Sequence, residues 1–105
     1  MRSGLLRHRV IVQEPQETRD QSGGTVSTFV EFAAVSAEIS PLAGREALLA
    51  QQVNALISHR VVIRFLAGLT TKMQLLFGER VLRIHAVRNI DERRREMELL
   101  CGEIA

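Results

Sequence analysis

The chain has 105 residues, of which 46% are hydrophobic and 25% are charged, and its formal net charge is +2. This composition is that of a folded domain and excludes extensive disorder, and the length predicts one domain over residues 1–105. No apolar run approaches the roughly 18 residues of a membrane-spanning helix. The single Cys101 excludes an internal disulfide and any metal site built from several cysteines.

The first forty residues predict strands joined by a tight turn. Residues 7–13 alternate in polarity, with His8, Val10 and Val12 on one face and Ile11 out of the pattern. Pro15 either ends this strand or confines it to a sheet edge.

The polar run 19–24 contains two glycines, which permit the positive φ angles of a turn. Residues 25–40 then supply β-branched side chains in two stretches, 25–32 and 34–40. These stretches predict one hairpin limb followed by a second strand.

One segment predicts a helix. Ser40 followed by Pro41 is a helix-start signal, because a capping side chain precedes proline at the first helical position. Residues 43–54 are rich in Ala, Leu, Gln and Glu, which favour helix. One stripe at helical spacing consists of Leu48, Leu49, Val53 and Leu56.

The second half of the chain returns to strand patterns. Residues 58–65 alternate, and the predicted inward side chains are Val61, Ile63 and Phe65, with Val62 facing outward. After a loop at 67–71, residues 74–77 and 80–88 predict a hairpin around Gly78-Glu79.

The last hairpin is predicted with a definite register. Its parts are a turn at 89–92 and a strand over 95–104, with Met97, Leu99 and Cys101 facing inward. Opposite charges pair on one face if Arg83 lies opposite Glu98, and that register sets Leu82 against Leu99 in the core. The predicted fold is therefore mainly β, a small antiparallel β-barrel of six or seven strands with one inserted α-helix.

No group of side chains in this sequence predicts catalysis. His8, His59 and His85 are far apart, and each lies in a strand pattern beside arginine, as surface histidines do. Cys101 falls on an apolar strand face, where a free thiol behaves as a small hydrophobe. The glycine pair at 23–24 lacks the Lys and Ser/Thr of a phosphate loop. We therefore predict a protein that is not an enzyme and has no catalytic, cofactor or metal site.

Single-stranded nucleic-acid binding is the alternative function. Small β-barrels bind single strands through aromatic platforms beside a basic groove. This chain has four Phe and neither Trp nor Tyr, and its one basic run lies between Glu92 and Glu96. The basic run is better explained as a solvated turn or a subunit interface than as a site for nucleic acid. The candidate interface residues are Arg7, Arg9, Arg93, Arg94 and Arg95.

Several stretches, taken in order, resemble the head-tail adaptor or head-closure family of long-tailed phages. The matching stretches are residues 6–10, Asp20 with Gly23-Gly24, residues 41–46, Gln51-Gln52, and residues 58–64, 78–84 and 94–100. No single stretch is specific, whereas the ordered set covers nearly the whole chain. The sequence departs from the family at Phe29 and Ser36, which stand near the places of two frequent tryptophans.

The resemblance implies a β-barrel subunit that assembles with copies of itself into a ring, dodecameric in the particle. The implied partners are the portal or adaptor ring, tail-terminator or tail-tube proteins, and double-stranded DNA in the channel, with no membrane. The ring closes the channel after DNA packaging and docks the tail. The implied location is the virion, and the host cytoplasm during assembly. A neighbouring adaptor or tail-end ring is the other position that such a subunit can take.

Residues 40–57 resemble the part of this family that projects into the channel. The residues that the resemblance places there are Gly44, Arg45, Glu46, Gln51 and Gln52. The alternative is a helix that only caps the barrel.

Overall fold

The computed structural model describes residues 8–89 and 95–104. Its elements are β1 (His8–Arg19), β2 (Thr25–Pro41), α1 (Gly44–Val53), β3 (His59–Arg64), β4 (Gln74–Phe77), β5 (Arg80–Asn89) and β6 (Glu96–Ile104). The strands close an antiparallel barrel in the order β1-β2-β3-β6-β5-β4. This confirms the predicted mainly β barrel with one inserted helix. Over the described ranges, no helix is both long enough and apolar enough to cross a membrane.

The barrel core consists of apolar side chains that point inward from all six strands. Fully buried members include Val10, Val12, Ala37, Val61, Ile63, Leu75, Leu82, Leu99 and Cys101. The predicted inward faces of β3 and β6 are therefore confirmed. Burial raises the pKa of the Cys101 thiol to about 12, so this cysteine is a packing residue rather than a nucleophile.

Val62 keeps its predicted outward direction but is covered on the outer face. It is not a member of the barrel core cluster, yet only 4% of it is exposed. Its neighbours across the sheet are Glu38 on β2 and Glu98 on β6, and long side chains of this kind cover an apolar neighbour with their stems.

The β1–β2 hairpin is longer than predicted and extends beyond the barrel as a two-stranded arm. Pro15 does not end β1, because it lies where β1 pairs with β2 alone; pairing with β4 is confined to Ile11 through Gln13. A free strand edge tolerates the missing N–H of proline, so the predicted alternative, in which Pro15 confines β1 to a sheet edge, is confirmed. The pairing shifts between Val12 and Gln13, and this bulge lets β2 run as one strand where two were predicted.

The helix predicted over 43–54 is confirmed as α1 (Gly44–Val53), but the start signal at Ser40-Pro41 is wrong. Both residues belong to β2, where Ser40 pairs with Arg60 and Pro41 pairs with His59 on β3. Pairing continues to Leu42, whose N–H donates to the Ser58 carbonyl at 2.9 Å. Strand pairing thus delays α1 until Gly44, and its N-cap residue, Ala43, makes no side-chain capping bond.

The β5–β6 register also differs from the prediction. Leu82 faces Glu103 rather than Leu99, a displacement of four residues, and Arg88 rather than Arg83 faces Glu98. An irregularity between Ile84 and Ala86 adds one residue of shift along β5. Because a displacement by four keeps each side chain on its original face, the core residues are right although their partners are wrong. Most of the predicted turn, residues 90–92, lies outside the described residues.

Candidate functional site

The segment between β2 and β3 crosses the outer wall of the barrel over the β3–β6 seam. Ile57, after the helix, is fully buried. Two polar contacts lie on either side of it: the Ser58 N–H donates to the Cys101 carbonyl at 2.8 Å, and Asn54 Nδ2 lies 3.3 Å from His85 Nδ1. Ala50 is the buried residue of α1 itself. The segment is therefore anchored mainly after its helix, and the helix itself buries only Ala50, with Ala47 half-buried.

The five residues assigned to the channel all lie on α1 and are exposed. Gly44 begins the helix with φ +58, a conformation that favours glycine. Arg45 and Glu46 follow in the first turn. Gln51 donates through Nε2 to the Ile57 carbonyl at 3.4 Å, whereas Gln52 lies beside it on the exposed surface. The fold thus places these five residues on one helix. Their position at the channel stays a prediction.

The predicted apolar stripe is only partly right, because Leu49 and Val53 line one side of α1 whereas Leu56 lies beyond the end of the helix at Val53. None of its residues is covered. Leu48, Leu49, Val53 and Leu56 are between 53% and 70% exposed. Between α1 and the barrel wall lies an open groove, termed the α1 groove, lined by Leu42, Glu46, Leu49, Ala50, Val53, Arg60, Glu98 and Leu100. Helical periodicity predicts that such side chains share a face, but not which surface covers them.

Glu98 at the floor of the α1 groove is the centre of an ion-pair network. Its carboxylate accepts hydrogen bonds from Arg60 Nε and from Arg88 Nε, the latter at 3.4 Å. Burial acts to raise the pKa of Glu98, but the hydrogen bonds from the two guanidinium groups outweigh it and hold the pKa below its ordinary value. The sequence identified Glu98 as a paired carboxylate but assigned it the wrong arginine.

A second ion pair lies where β5 and β6 meet below the helix. Arg80 donates to both Glu103 oxygens, at 2.6 and 3.1 Å. The hydrogen bond from Arg80 lowers the pKa of Glu103. His59 Nε2 lies 4.0 Å from the same carboxylate, so one of the three histidines stands in a polar cluster rather than a metal site. Among the described residues, no cluster of His, Cys, Asp and Glu has the arrangement of a metal site.

The outer face of the barrel carries an apolar row, centred on β1 and β4, that sequence reasoning did not assign. Cross-strand pairs join Ala34 to Ile11, Ile11 to Leu76, Leu76 to Val81, and Val81 to Ile104. Ile11, Leu76 and Val81 each stand next to a buried core residue along their strands, so these three side chains point outward. The five paired residues are termed the seam row. Ile11, out of pattern in the predicted β1, was the signal that could have found it.

The proposed arginine interface is only partly described. Arg9 lies exposed on β1, and Arg95 lies exposed just before β6. Arg7, Arg93 and Arg94 lie outside the described residues. The interface of five arginines therefore stays a prediction.

The phenylalanines do not form a stacking platform within the described residues. Phe32, Phe65 and Phe77 pack against the core. Phe29 is exposed on the arm, which also carries Glu14, Glu17, Asp20 and Glu31. An aromatic side chain among carboxylates is poorly suited to a polyanion, which weakens the alternative of single-stranded nucleic-acid binding.

Comparison with known proteins places this barrel in a family. A solution structure of a protein from Shigella flexneri 2a is similar with a TM-score of 0.82 and 26% identity, covering 100% of this chain and 98% of that one. A chain in the virion of a native gene transfer agent particle shares the fold, with a TM-score of 0.62, 18% identity, and 93% and 94% coverage. No curated protein has a matching sequence. The phage head completion protein family matches residues 1–104, and the chain therefore belongs to that family, whose members are structural proteins of the virion.

Proposed function

We propose that this head completion protein forms a ring, dodecameric in the particle, between the portal or adaptor and the tail. The ring closes the DNA channel after packaging and docks the tail-terminator or tail-tube proteins. Residues 40–57 face the channel in this proposal. The observation that carries it is the weak attachment of α1, in which Ala50 is buried and Ala47 half-buried while the other residues of the helix are exposed.

Weak attachment suits a gate because a gate must change position at low energetic cost. A ten-residue helix is only marginally stable without tertiary contacts, so α1 can unfold or swing when a partner or DNA displaces it. Gly44, with its positive φ, supplies a hinge at the start of the helix. Ile57 and the Ser58 backbone bond remain as the fixed end.

The charges of the segment suit a channel that holds DNA and later releases it. Arg45 and Glu46 are adjacent and opposite in sign, and Gln51 and Gln52 are neutral. A ring of purely basic side chains would bind the phosphate backbone strongly, because each neutralised phosphate releases counterions. Mixed signs and amides give weaker contacts that let DNA pass.

The test is a deletion of residues 44–52 in the particle-forming system. We expect the barrel to remain intact, because no residue of the deleted stretch belongs to its core cluster. We expect particles that dock the subunit and package DNA, and then lose it. A matched control, Arg45→Ala/Glu46→Ala/Gln51→Ala/Gln52→Ala, keeps the length of the segment and separates blockage by the helix from contacts made by its polar side chains. Normal DNA retention after the deletion would refute the gating role and leave α1 as a cap on the barrel.

A further inference from the structure

We propose that the free edge of β2 in the arm, residues 25–31, is a docking site for an extended, basic segment of another protein of the virion. The incoming segment adds a third strand to the arm through main-chain hydrogen bonds, and its cationic side chains face the carboxylates of the arm. This surface lies apart from residues 40–57, so the proposal goes beyond the gate and does not depend on it.

The hydrogen bond that closes the arm identifies the backbone groups along its free edges. The Asp20 N–H donates to the Gly24 carbonyl at 2.8 Å, so these two residues form a hydrogen-bonded pair. Such pairs recur at every second residue of an antiparallel ladder, and the register of β1 with β2 continues without a shift as far as Glu31. The backbone groups of the intervening residues therefore point away from the partner strand. On β2 these residues are Thr25, Ser27, Phe29 and Glu31.

The two edges of the arm differ in how open they are to a further strand. The β1 edge, residues 14–19, contains three charged side chains and Pro15, which has no N–H. Residues 25–30 of β2 contain no charge, no proline and no glycine, and five of these six residues are exposed. Pairing of β2 with β3 begins only at Ala37, so no strand in the described part of the chain covers this edge. Proteins commonly protect exposed strand edges with charge or proline, and here the β2 edge is the one left open to a partner.

Charge selects a basic occupant. Residues 14–31 carry four carboxylates and one cation, which are Glu14, Glu17, Asp20, Glu31 and Arg19. None of the ion pairs within the described ranges engages the three glutamates. Glu31 follows the exposed Phe29 by two residues and so shares its face of the sheet. A strand that carries lysine or arginine on this face is attracted, whereas an acidic strand is repelled.

A second copy of the arm is a poorer occupant of this edge. Pro15 is one of the outward-pointing residues of β1, so the β1 edge of another arm lacks a donor where the new ladder needs one. Two acidic arms also repel each other. The occupant is therefore a segment of a different protein, and pairing between two copies is an outcome that the experiment distinguishes.

Hydrogen exchange measured by NMR tests the pairing residue by residue. The probe is a short synthetic peptide in which lysine alternates with valine, added to the purified protein. We expect the amides of Ser27 and Phe29, which are free at the edge, to exchange at least about tenfold more slowly with the peptide, since they become hydrogen-bonded. Unchanged exchange at these amides, with the peptide in large molar excess, would overturn the edge pairing.

A pair of variants at one position separates the backbone donor from the side chain. Ser27→Pro removes an outward N–H and leaves the ladder with β1 intact, because Ser27 does not bond to that strand. It should weaken binding of the lysine peptide about tenfold, which corresponds to about 1.4 kcal/mol. Ser27→Ala keeps the N–H and should bind as the wild type does. Circular dichroism should show the same fold in both variants, and equal affinity of the two would contradict the proposal.

Two further peptides separate strand pairing from charge. A peptide with glutamate in place of lysine should not bind, and neither should the lysine peptide methylated at its backbone nitrogens, which keeps its charge but loses its donors. Binding of the methylated peptide as tight as that of the original would mean attraction by charge alone and would refute the strand. Self-association of the free protein that Ser27→Pro abolishes would assign the edge to a second copy instead.

The assembled particle provides the last measurement. Hydrogen exchange of residues 25–31, followed by mass spectrometry, should be slower in particles than in the free protein, because the partner strand covers the edge. Equal rates would show that the edge stays open in the virion and would overturn the proposal. None of these readouts involves DNA retention after deletion of residues 44–52, so failure of the docking site and failure of the gate are distinguishable.

Discussion

Leu99 belongs to the residues that fix the core of the barrel, because β6 pairs with both β3 and β5 and its inward side chains contact both halves. It is fully buried. We expect Leu99→Ala to lower the free energy of unfolding by about 2–5 kcal/mol, through lost burial and the cavity that remains. Chemical denaturation measures this. Leu48→Ala on the exposed side of α1 is the matched control and should change stability by less than about 0.5 kcal/mol. Equal losses in the two variants would contradict the assigned core.

Glu98 gives the protein a specific dependence on pH. Its folded-state pKa lies below the ordinary value of 4.5, so the carboxylate stabilises the fold above that value and the contribution is lost as the pH falls through the folded pKa. We expect Glu98→Gln to be less stable near neutral pH and to lose less stability on acidification. Denaturation curves over a pH series measure the difference. Glu17→Gln, on the exposed arm, should keep the wild-type dependence, and an unchanged slope in Glu98→Gln would contradict the network.

At the scale of elements, the attachment of α1 depends on close packing after its C-terminus. A Cβ added at Gly102 on β6 would overlap the carbonyl oxygen of Leu56 and approach His85 Nε2 at 3.0 Å. We expect Gly102→Ala to cost about 1–3 kcal/mol, as overpacking does, and to increase proteolysis between residues 44 and 56.

Gly78→Ala is the control for that substitution. Gly78 has φ +60 and open space around its Cβ position, so its cost of about 1–2 kcal/mol comes from the left-handed backbone alone. Proteolysis of α1 should stay at the wild-type rate in Gly78→Ala. The same rate in Gly102→Ala would show that the Leu56 contact does not hold the segment.

For the whole molecule, we predict a free protein that is monomeric or weakly associated, with the turn at 22–24 and the loop at 66–72 mobile until assembly. Ordering of these mobile segments has an entropic cost, which opposes ring formation off the particle. Sedimentation velocity should therefore show a species near 11.8 kDa at low concentration. A stable closed ring without the portal would contradict this prediction.

The sequence alone determined the strand content, the inward faces and two of the turns. Alternation with a period of two assigns each side chain to a face, and it did so correctly for Val61, Leu99 and Cys101. Glycine positions marked the turn at 22–24 and the hairpin at Gly78, where positive φ angles occur. The ordered resemblance to head-closure proteins gave the family, since it depended on the spacing of whole stretches.

Only the tertiary structure decided the registers, the start of α1 and the surfaces that stay uncovered. A period of two is unchanged by an even displacement, so it cannot distinguish Glu103 from Leu99 as the partner of Leu82. A capping residue is worth about 1 kcal/mol, which is too little to prevent Ser40 and Pro41 from pairing with β3. Helical spacing places apolar side chains on one face, and only closure of the barrel determines that the core is already filled and that this face of α1 remains open.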